Sequence, residues 1–218
     1  VGTALLGRVL DMLEAWGVRE VAVNLHWRPG MIREYLAARA SRLQVRFSHE
    51  PELLGTGGAL RPLRAFLEGG PFWLVNADIA ARLDAAPLLS AFETGGGLAA
   101  AWLEPKKGPR TVEADRRGRV TCFRSPTPGV PGTYTFCGVQ LVSPRVFDFL
   151  PDNKVCSIIE AYERALGQGI FVDGVAQPCS YWDDAGTPEA YLRIHRETAA
   201  SAICPAAGGT RRSGGRQA

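Results

Sequence analysis

Apolar positions recur at helical spacing in the stretch Leu5 to Trp16, where Leu6, Val9, Leu10 and Leu13 share one face and Gly17 ends the run. Arg19 to Leu25 then alternates Val21, Val23 and Leu25 and reads as a buried strand. Pro29 opens a second helix with Met31, Ile32, Tyr35 and Leu36 on one side, and Leu43 to Ser48 follows as a strand. Leu53 to Gly58 is a glycine-rich loop and Ala59 to Leu67 a helix. Phe72 to Val75 is a short apolar run before Asn76-Ala77-Asp78, the pattern of a central parallel strand. Helix Ala85 to Phe92 and strand Leu98 to Leu103 continue the rhythm. Strands separated by helices in this way predict an α/β domain, with a mostly parallel sheet covered on both faces.

The middle of the chain changes character. Thr111 to Arg124 reads as two short strands around Asp115-Arg116-Arg117-Gly118, a hairpin signal. After the Pro/Gly-rich segment Pro126 to Gly132 come a strand (Tyr134 to Val142), a short helix (Pro144 to Phe149) and a helix from Ser157 to Leu166. The helix turns Ile158, Ile159, Tyr162 and Leu166 inward. A strand begins at Phe171, and Pro188 to Arg196 reads as the last helix. The expected organisation is one domain over residues 1–199 and a disordered basic tail over 200–218, where Ala, Gly, Ser and Arg follow one another without periodicity.

Composition narrows the class. Over 218 residues the apolar fraction is 46% and the charged fraction 22%, values of a globular protein. The net charge of +3 owes much to Arg211, Arg212 and Arg216, so no nucleic-acid or membrane partner is expected. No apolar run approaches the roughly 18 residues of a membrane span, and the first residues do not read as a signal peptide. Cys122, Cys137, Cys156, Cys179 and Cys204 are scattered singly, which argues against a disulfide framework or structural zinc and for a cytoplasmic location. His26, His49 and His195 are too dispersed for a metal cluster; His26 and His49 fall at strand ends, where a structural histidine is the simpler reading. Trp27, Trp73, Trp102 and Trp182 read as core or cleft-wall residues.

Three segments can carry chemistry. Asp78 lies just past the carboxyl end of an apolar strand, where open α/β sheets bind ligands, and a carboxylate there suits a divalent cation on phosphate oxygens; a turn cap is the alternative. Asp183 and Asp184 follow an aromatic strand end and precede Gly186-Thr187-Pro188. Adjacent side chains on an extended segment point opposite ways, so one of the two shares a pocket with Asp78, unless both merely face a helix dipole. In Glu50 to Leu60 the glycines allow close approach of a ligand and the following helix offers N–H groups, although a tight strand-to-helix turn explains the same residues.

Taken in order, these segments resemble the sugar-phosphate nucleotidylyltransferases, or sugar-nucleotide pyrophosphorylases. Val1 to Leu13 is similar to the stretch running into that family's first long helix, and Val21 to His26 to its Val-Asn-x-His strand. Glu50 to Leu60 resembles its Glu-x-x-Leu-Gly-Thr-x-Gly-Ala loop, and Asn76-Ala77-Asp78 its Asn-Gly-Asp. Thr135 to Val139 resembles its Thr-Phe-x-Gly-Ile strand, and Trp182 to Pro188 its Trp-x-Asp-Ile-Gly-Thr-Pro motif. Ser157 to Tyr162 is similar to a helix of the bacterial members related to mannose-1-phosphate guanylyltransferase. The likeness covers about residues 1–197.

The resemblance implies a Rossmann-like nucleotidyltransferase fold with a mostly parallel mixed sheet and helices on both faces. It implies transfer of a nucleoside monophosphate from a nucleoside triphosphate to a sugar 1-phosphate with release of pyrophosphate. By its register Asp78 and Asp184 are the catalytic and metal-binding residues, with Mg²⁺ as cofactor. Leu54, Gly55, Thr56, Gly57, Gly58 and Asn76 would meet the nucleotide, and Gly138 and Glu160 would border the sugar. The chain departs from the family in three places. The family's opening strand, glycine-rich phosphate loop and Pro-Lys pair do not precede Val1, which predicts an N-terminally incomplete domain. Ala206 to Arg211 echoes that loop and would fit a circular permutation, with no convincing strand before it. Arg124-Ser125-Pro126 stands where the family has Glu-Lys-Pro.

Two other classes stay open on the sequence. One is a non-catalytic subunit that binds or senses a sugar nucleotide. The other is a nicotinamide-dependent oxidoreductase, which lacks its dinucleotide fingerprint here. Base, sugar and homo-oligomeric state are left undecided.

Overall fold

The computed structural model describes residues 4–176 and 181–200. The chain opens with α1 (Leu5–Ala15), β1 (Glu20–Leu25), α2 (Pro29–Ala38) and β2 (Gln44–His49). Next come α3 (Gly55–Gly58), α4 (Arg64–Leu67), β3 (Phe72–Val75), β4 (Ile79–Arg82), α5 (Ala86–Gly95) and β5 (Ala99–Glu104). A β6–β7 hairpin (Val112–Ala114, Val120–Cys122) leads to β8 (Thr133–Val142), α6 (Ile158–Gly167), β9 (Asp173–Ala176), β10 (Tyr181–Asp184) and α7 (Pro188–Ala200). The tail expected to be disordered lies outside the described residues from 201 onward.

Alternation along β5 explains why helices cover both faces of the sheet. Ala99, Ala101 and Leu103 turn into one cluster with α6 residues Ala161, Tyr162 and Ala165, whereas Ala100 and Trp102 join Val9 and Leu13 of α1 and Leu88 of α5 on the other face. Every residue of β5 is buried. Full burial of a side chain such as Leu88 contributes about 1.5–3 kcal/mol. Tyr162, itself fully buried, donates its hydroxyl to Gln140 Oε1 at 2.6 Å, and burial pushes its phenol pKa up.

The α/β class and the mixed sheet are as expected; the parallel majority is not. Among the described strands β1–β2 and β5–β9 pair in parallel, whereas β3–β8, β5–β8, β6–β7, β6–β8 and β4–β10 are antiparallel. The cause is β8. The chain reaches it from a hairpin rather than through a helical crossover, so it returns antiparallel and wedges between β3 and β5. Among the described residues Phe72–Val75 pairs with β8 alone, antiparallel and half-buried, and not as the central parallel strand expected. The helix expected over Ala59 to Leu67 also breaks, into a 3₁₀ turn at Arg61–Leu63 and α4, because Pro62 removes a backbone donor.

Candidate active site

Asp184 is placed by four contacts. Its strand pairs with β4 in a register that sets Asp184 opposite Ile79, one residue from Asp78. The Trp182 indole donates to the Cys137 carbonyl at 3.0 Å, pinning β10 to β8. Ala185 N–H donates to the Asp78 carbonyl at 2.8 Å, and Gly186 N–H to Asp184 Oδ1 at 2.7 Å. Both Asp78 and Asp184 are exposed, so the two acids named by the sequence stand side by side at one surface.

Asp183 is occupied otherwise. Arg193 on α7 donates to both of its oxygens at 2.7 Å, which fastens α7 along β10. The pair raises the Arg193 pKa, through the hydrogen bond first and the charge of Asp183 second. The sequence reading put one of the two in a pocket with Asp78; both instead line a groove beside α7 that Asp78 does not line, although they differ in partner, Asp183 bonding Arg193 and Asp184 the Gly186 N–H.

Asn76 bonds to β8: its N–H donates to the Gly138 carbonyl at 2.8 Å. Gly138 has φ +73°, and a Cβ there would come within 2.8 Å of the Asn76 side chain. Glycine is thus required twice over, by the backbone and by the neighbour.

The loop 50–58 takes its shape from Glu50, which the sequence reading did not single out. Glu50 is 2% exposed, and its carboxylate accepts from Asn24 Nδ2 at 3.1 Å and from Leu54 N–H at 3.2 Å. Its carbonyl lies 2.8 Å from His26 Nδ1, so His26 has the structural role expected of it. Its sequence signals were an acid directly before Pro51 at a strand end and its place at the head of the Glu50 to Leu60 segment.

The glycines of this loop pack against protein rather than standing open. Gly57 and Gly58 N–H groups donate to the Cys156 carbonyl at 2.9 and 3.1 Å, and the first N–H groups of the segment expected to offer donors, those of Ala59 and Leu60, bond the Gly55 and Gly57 carbonyls. A Cβ on Gly55 would meet the Cys156 oxygen at 2.5 Å, and one on Gly58 the Lys154 oxygen at 2.4 Å. Thr56 Oγ1 accepts from Ile158 N–H at 3.0 Å, tying the loop to the start of α6. Glu160 is spent at the same place: its carboxylate accepts from Ser157 N–H at 2.8 Å in a capping box. Leu54 is half-buried, and Gly55 and Thr56 are exposed.

The two acids line different grooves. One, of about 1060 Å³, is lined among others by Asn24, Trp27, Thr56, Asn76 and Asp78. It joins the glycine loop to the first aspartate, and Trp27 at its margin is 74% exposed rather than a core residue. The second, of about 740 Å³, is lined by Lys107, Thr135, Tyr181, Asp184 and Arg193 among others. Burial foremost, and then Glu197, push the Tyr181 phenol up to about 12. Lys107 and Tyr181 were not predicted; Lys107 belongs to the Glu104-Pro105-Lys106-Lys107 run, which carries no periodic signal.

A mixed sheet between helices, with acids at strand ends between two grooves, is the architecture of an α/β nucleotidyltransferase fold. Solved structures agree. HddC from Yersinia pseudotuberculosis complexed with GMP-PN superposes with a TM-score of 0.70 at 19% identity, covering 90% of this chain and 86% of that one. A UDP-glucose pyrophosphorylase complexed with UDP-glucose gives 0.71 at 14% identity, over 90% and 86%. The family model described as nucleotidyl transferase matches residues 2–201, and the chain belongs to that family.

Among curated relatives, mannose-1-phosphate guanylyltransferase of Mycobacterium tuberculosis is 26% identical over 201 residues, 88% of this chain and 55% of that protein. N-acetylmuramate alpha-1-phosphate uridylyltransferase of Neisseria meningitidis is 26% identical over 194 residues, 85% of this chain and 81% of that protein. The chain spans about half the length of the guanylyltransferases it matches. No described helix is long and apolar enough to cross a membrane.

Proposed function

We propose that the protein transfers a nucleoside monophosphate from a nucleoside triphosphate to a sugar 1-phosphate, releasing pyrophosphate and forming a nucleoside diphosphate sugar. The observation that carries this reading is the β4–β10 ladder, which sets Asp184 opposite Ile79, one residue from Asp78, with Asp78 lining one groove and Asp184 the other. Its support is the nucleotidyl transferase family together with relatives named for guanylyl and uridylyl transfer to sugar 1-phosphates.

The residues present fit a hard divalent cation. Two exposed carboxylates offer oxygen donors, and the neighbouring Asp183 is withdrawn by Arg193, so the pair Asp78 and Asp184 would hold Mg²⁺. When bound, the ion supplies charge neutralisation on the phosphates. The chain does the rest by positioning. Leu54, Gly55 and Thr56, held by Glu50 and by the start of α6, border the nucleotide together with Asn76. Gly57 and Gly58 shape that border from within.

The second groove takes the sugar phosphate, with Gly138 behind Asn76 and Lys107 as a cation at the surface. Glu160, which the resemblance set beside the sugar, instead fixes the α6 N-terminus against the loop of Thr56, Gly57 and Gly58. The sugar phosphate oxygen attacks the α-phosphorus in line, that P–O bond forms as the bond to pyrophosphate breaks, and no side-chain nucleophile takes part.

The test is pyrophosphate release by the folded chain with Mg²⁺, across the four nucleoside triphosphates and a panel of sugar 1-phosphates. Asp184→Asn is expected to lower release by about a hundredfold or more with the fold intact, whereas Asp183→Asn retains the metal dependence. Full activity in the first variant, or an equal loss in both, overturns the assignment.

A further inference from the structure

Trp27 differs from the other tryptophans of the chain. Trp102 and Trp182 are buried, and Trp16 and Trp73 pack on each other with ring centroids 4.8 Å apart. The Trp27 ring is 74% exposed, although burying a tryptophan is among the largest apolar gains open to a side chain. Leu53, itself 65% exposed, lines the same groove of about 1060 Å³, together with Asn24, Thr56, Asn76 and Asp78. Two large apolar side chains thus stand open along the groove that carries the first candidate acid. Such a surface serves a ligand rather than the core.

Neither side chain sits on a loose backbone. His26, directly before Trp27, has its Nδ1 2.8 Å from the Glu50 carbonyl, and after Trp27 the Arg28 carbonyl accepts from the Met31 N–H at 3.1 Å. The Glu50 carboxylate accepts from the N–H of Leu54, directly after Leu53, at 3.2 Å. One buried residue therefore fastens the chain next to both apolar side chains. Arg28 adopts a left-handed backbone, φ +49° and ψ +52°, which costs a non-glycine residue free energy. Its guanidinium carbon lies over the Trp27 ring, 5.9 Å from the centroid, and its Nη1 donates to Met31 Sδ at 3.7 Å. A cation over one face of the indole leaves the other for a planar ligand.

We infer that Trp27 is the stacking platform for the base of the nucleoside triphosphate, and that it favours purines over pyrimidines. The occupant follows from the surroundings. A flat aromatic face takes flat aromatic partners, and the same groove holds Thr56, Asn76 and Asp78 for the rest of a nucleotide. A two-ring purine covers more of a two-ring indole than a single-ring pyrimidine does, which sets the preference. The inference rests on the proposed reaction for the triphosphate, and adds the residue that selects among triphosphates.

Calorimetric titration of the full chain tests it, with Mg²⁺ and each of GTP, ATP, UTP, CTP and inorganic tripolyphosphate, in the wild type, Trp27→Phe and Trp27→Ala. The wild type is expected to bind the purine nucleotides at least about fivefold more tightly than the pyrimidine ones. Trp27→Ala is expected to weaken purine binding about tenfold, to bring the nucleotides within about twofold of one another and to leave tripolyphosphate unchanged, with Trp27→Phe in between. Melting temperatures equal to that of the wild type are expected for both variants, since so exposed a ring adds little packing. Purine affinity kept by Trp27→Ala, an equal loss for tripolyphosphate, or a lowered melting temperature overturns the platform and leaves the proposed reaction standing. A wild type that binds purines and pyrimidines alike overturns the preference. A wild type that binds none of these ligands overturns the proposed reaction, and the platform with it.

Discussion

Gly138 and Asn76 are locked together: the Asn76 N–H bonds the Gly138 carbonyl at 2.8 Å, and the space a Gly138 side chain would fill holds the Asn76 carboxamide. The contact couples β8 to the turn that carries Asp78. Any shift of one strand therefore moves an acid of the candidate site.

Gly138→Ala is expected to cost on the order of 2 kcal/mol, from a left-handed backbone now bearing a Cβ and from the clash with Asn76. Urea unfolding measures it. A stability unchanged within about 0.5 kcal/mol would show that Asn76 yields freely and that the coupling is absent.

The Glu50 carboxylate accepts from both Asn24 Nδ2 and Leu54 N–H. Glu50→Ala strands two donors and is expected to destabilise by about 1–3 kcal/mol, with faster exchange of the Leu54 amide. Glu50→Gln keeps one acceptor oxygen and loses less. A glutamine variant as damaged as the alanine variant would mean that the negative charge, and not the hydrogen bonds, matters at this position.

Asp173 predicts a pH dependence. Desolvation raises its pKa above the ordinary carboxylate value of 3.8, against weaker lowering by Arg119 and the Gly97 N–H. Its Oδ2 is buried without a partner, against Gly95 and Gly97. A folded pKa above the unfolded one means that its stabilising contribution is full below the unfolded value and is lost as pH rises through the folded value. Asp173→Asn is accordingly expected to raise the melting temperature at pH 7, with the gain vanishing as pH falls below 3.8. A gain of equal size at both extremes would trace the effect to packing.

Much of this was legible along the chain, for reasons that differ from residue to residue. Leu6, Val9, Leu10 and Leu13 announce α1 because helix periodicity is a local property, and Phe72–Val75 was delimited by its flanking Gly-Pro and Asn-Ala-Asp. Strand direction was not legible. Tyr134 to Val142 reads the same whether its neighbours run with it or against it, because side-chain alternation has no polarity. Strands β4 and β10 were missed as a ladder, each being four residues long and meaningful only against the other.

The sequence by itself determined the α/β class and the positions of most helices and strands, and it marked the acids and glycines that gather at the candidate site, since period, capping and residue type act over a few neighbours. Tertiary structure alone decided the rest. It paired Asp183 with Arg193 and left Asp184 beside Asp78, gave the Gly57 and Gly58 donors to Cys156, and made buried Glu50 the keystone of the loop. It also set the exposed side chains of Trp27 and Leu53 along one groove. Each of these joins residues far apart in the chain, and such contacts are chosen by which surfaces and polar groups are satisfied together, a condition no local window of sequence contains.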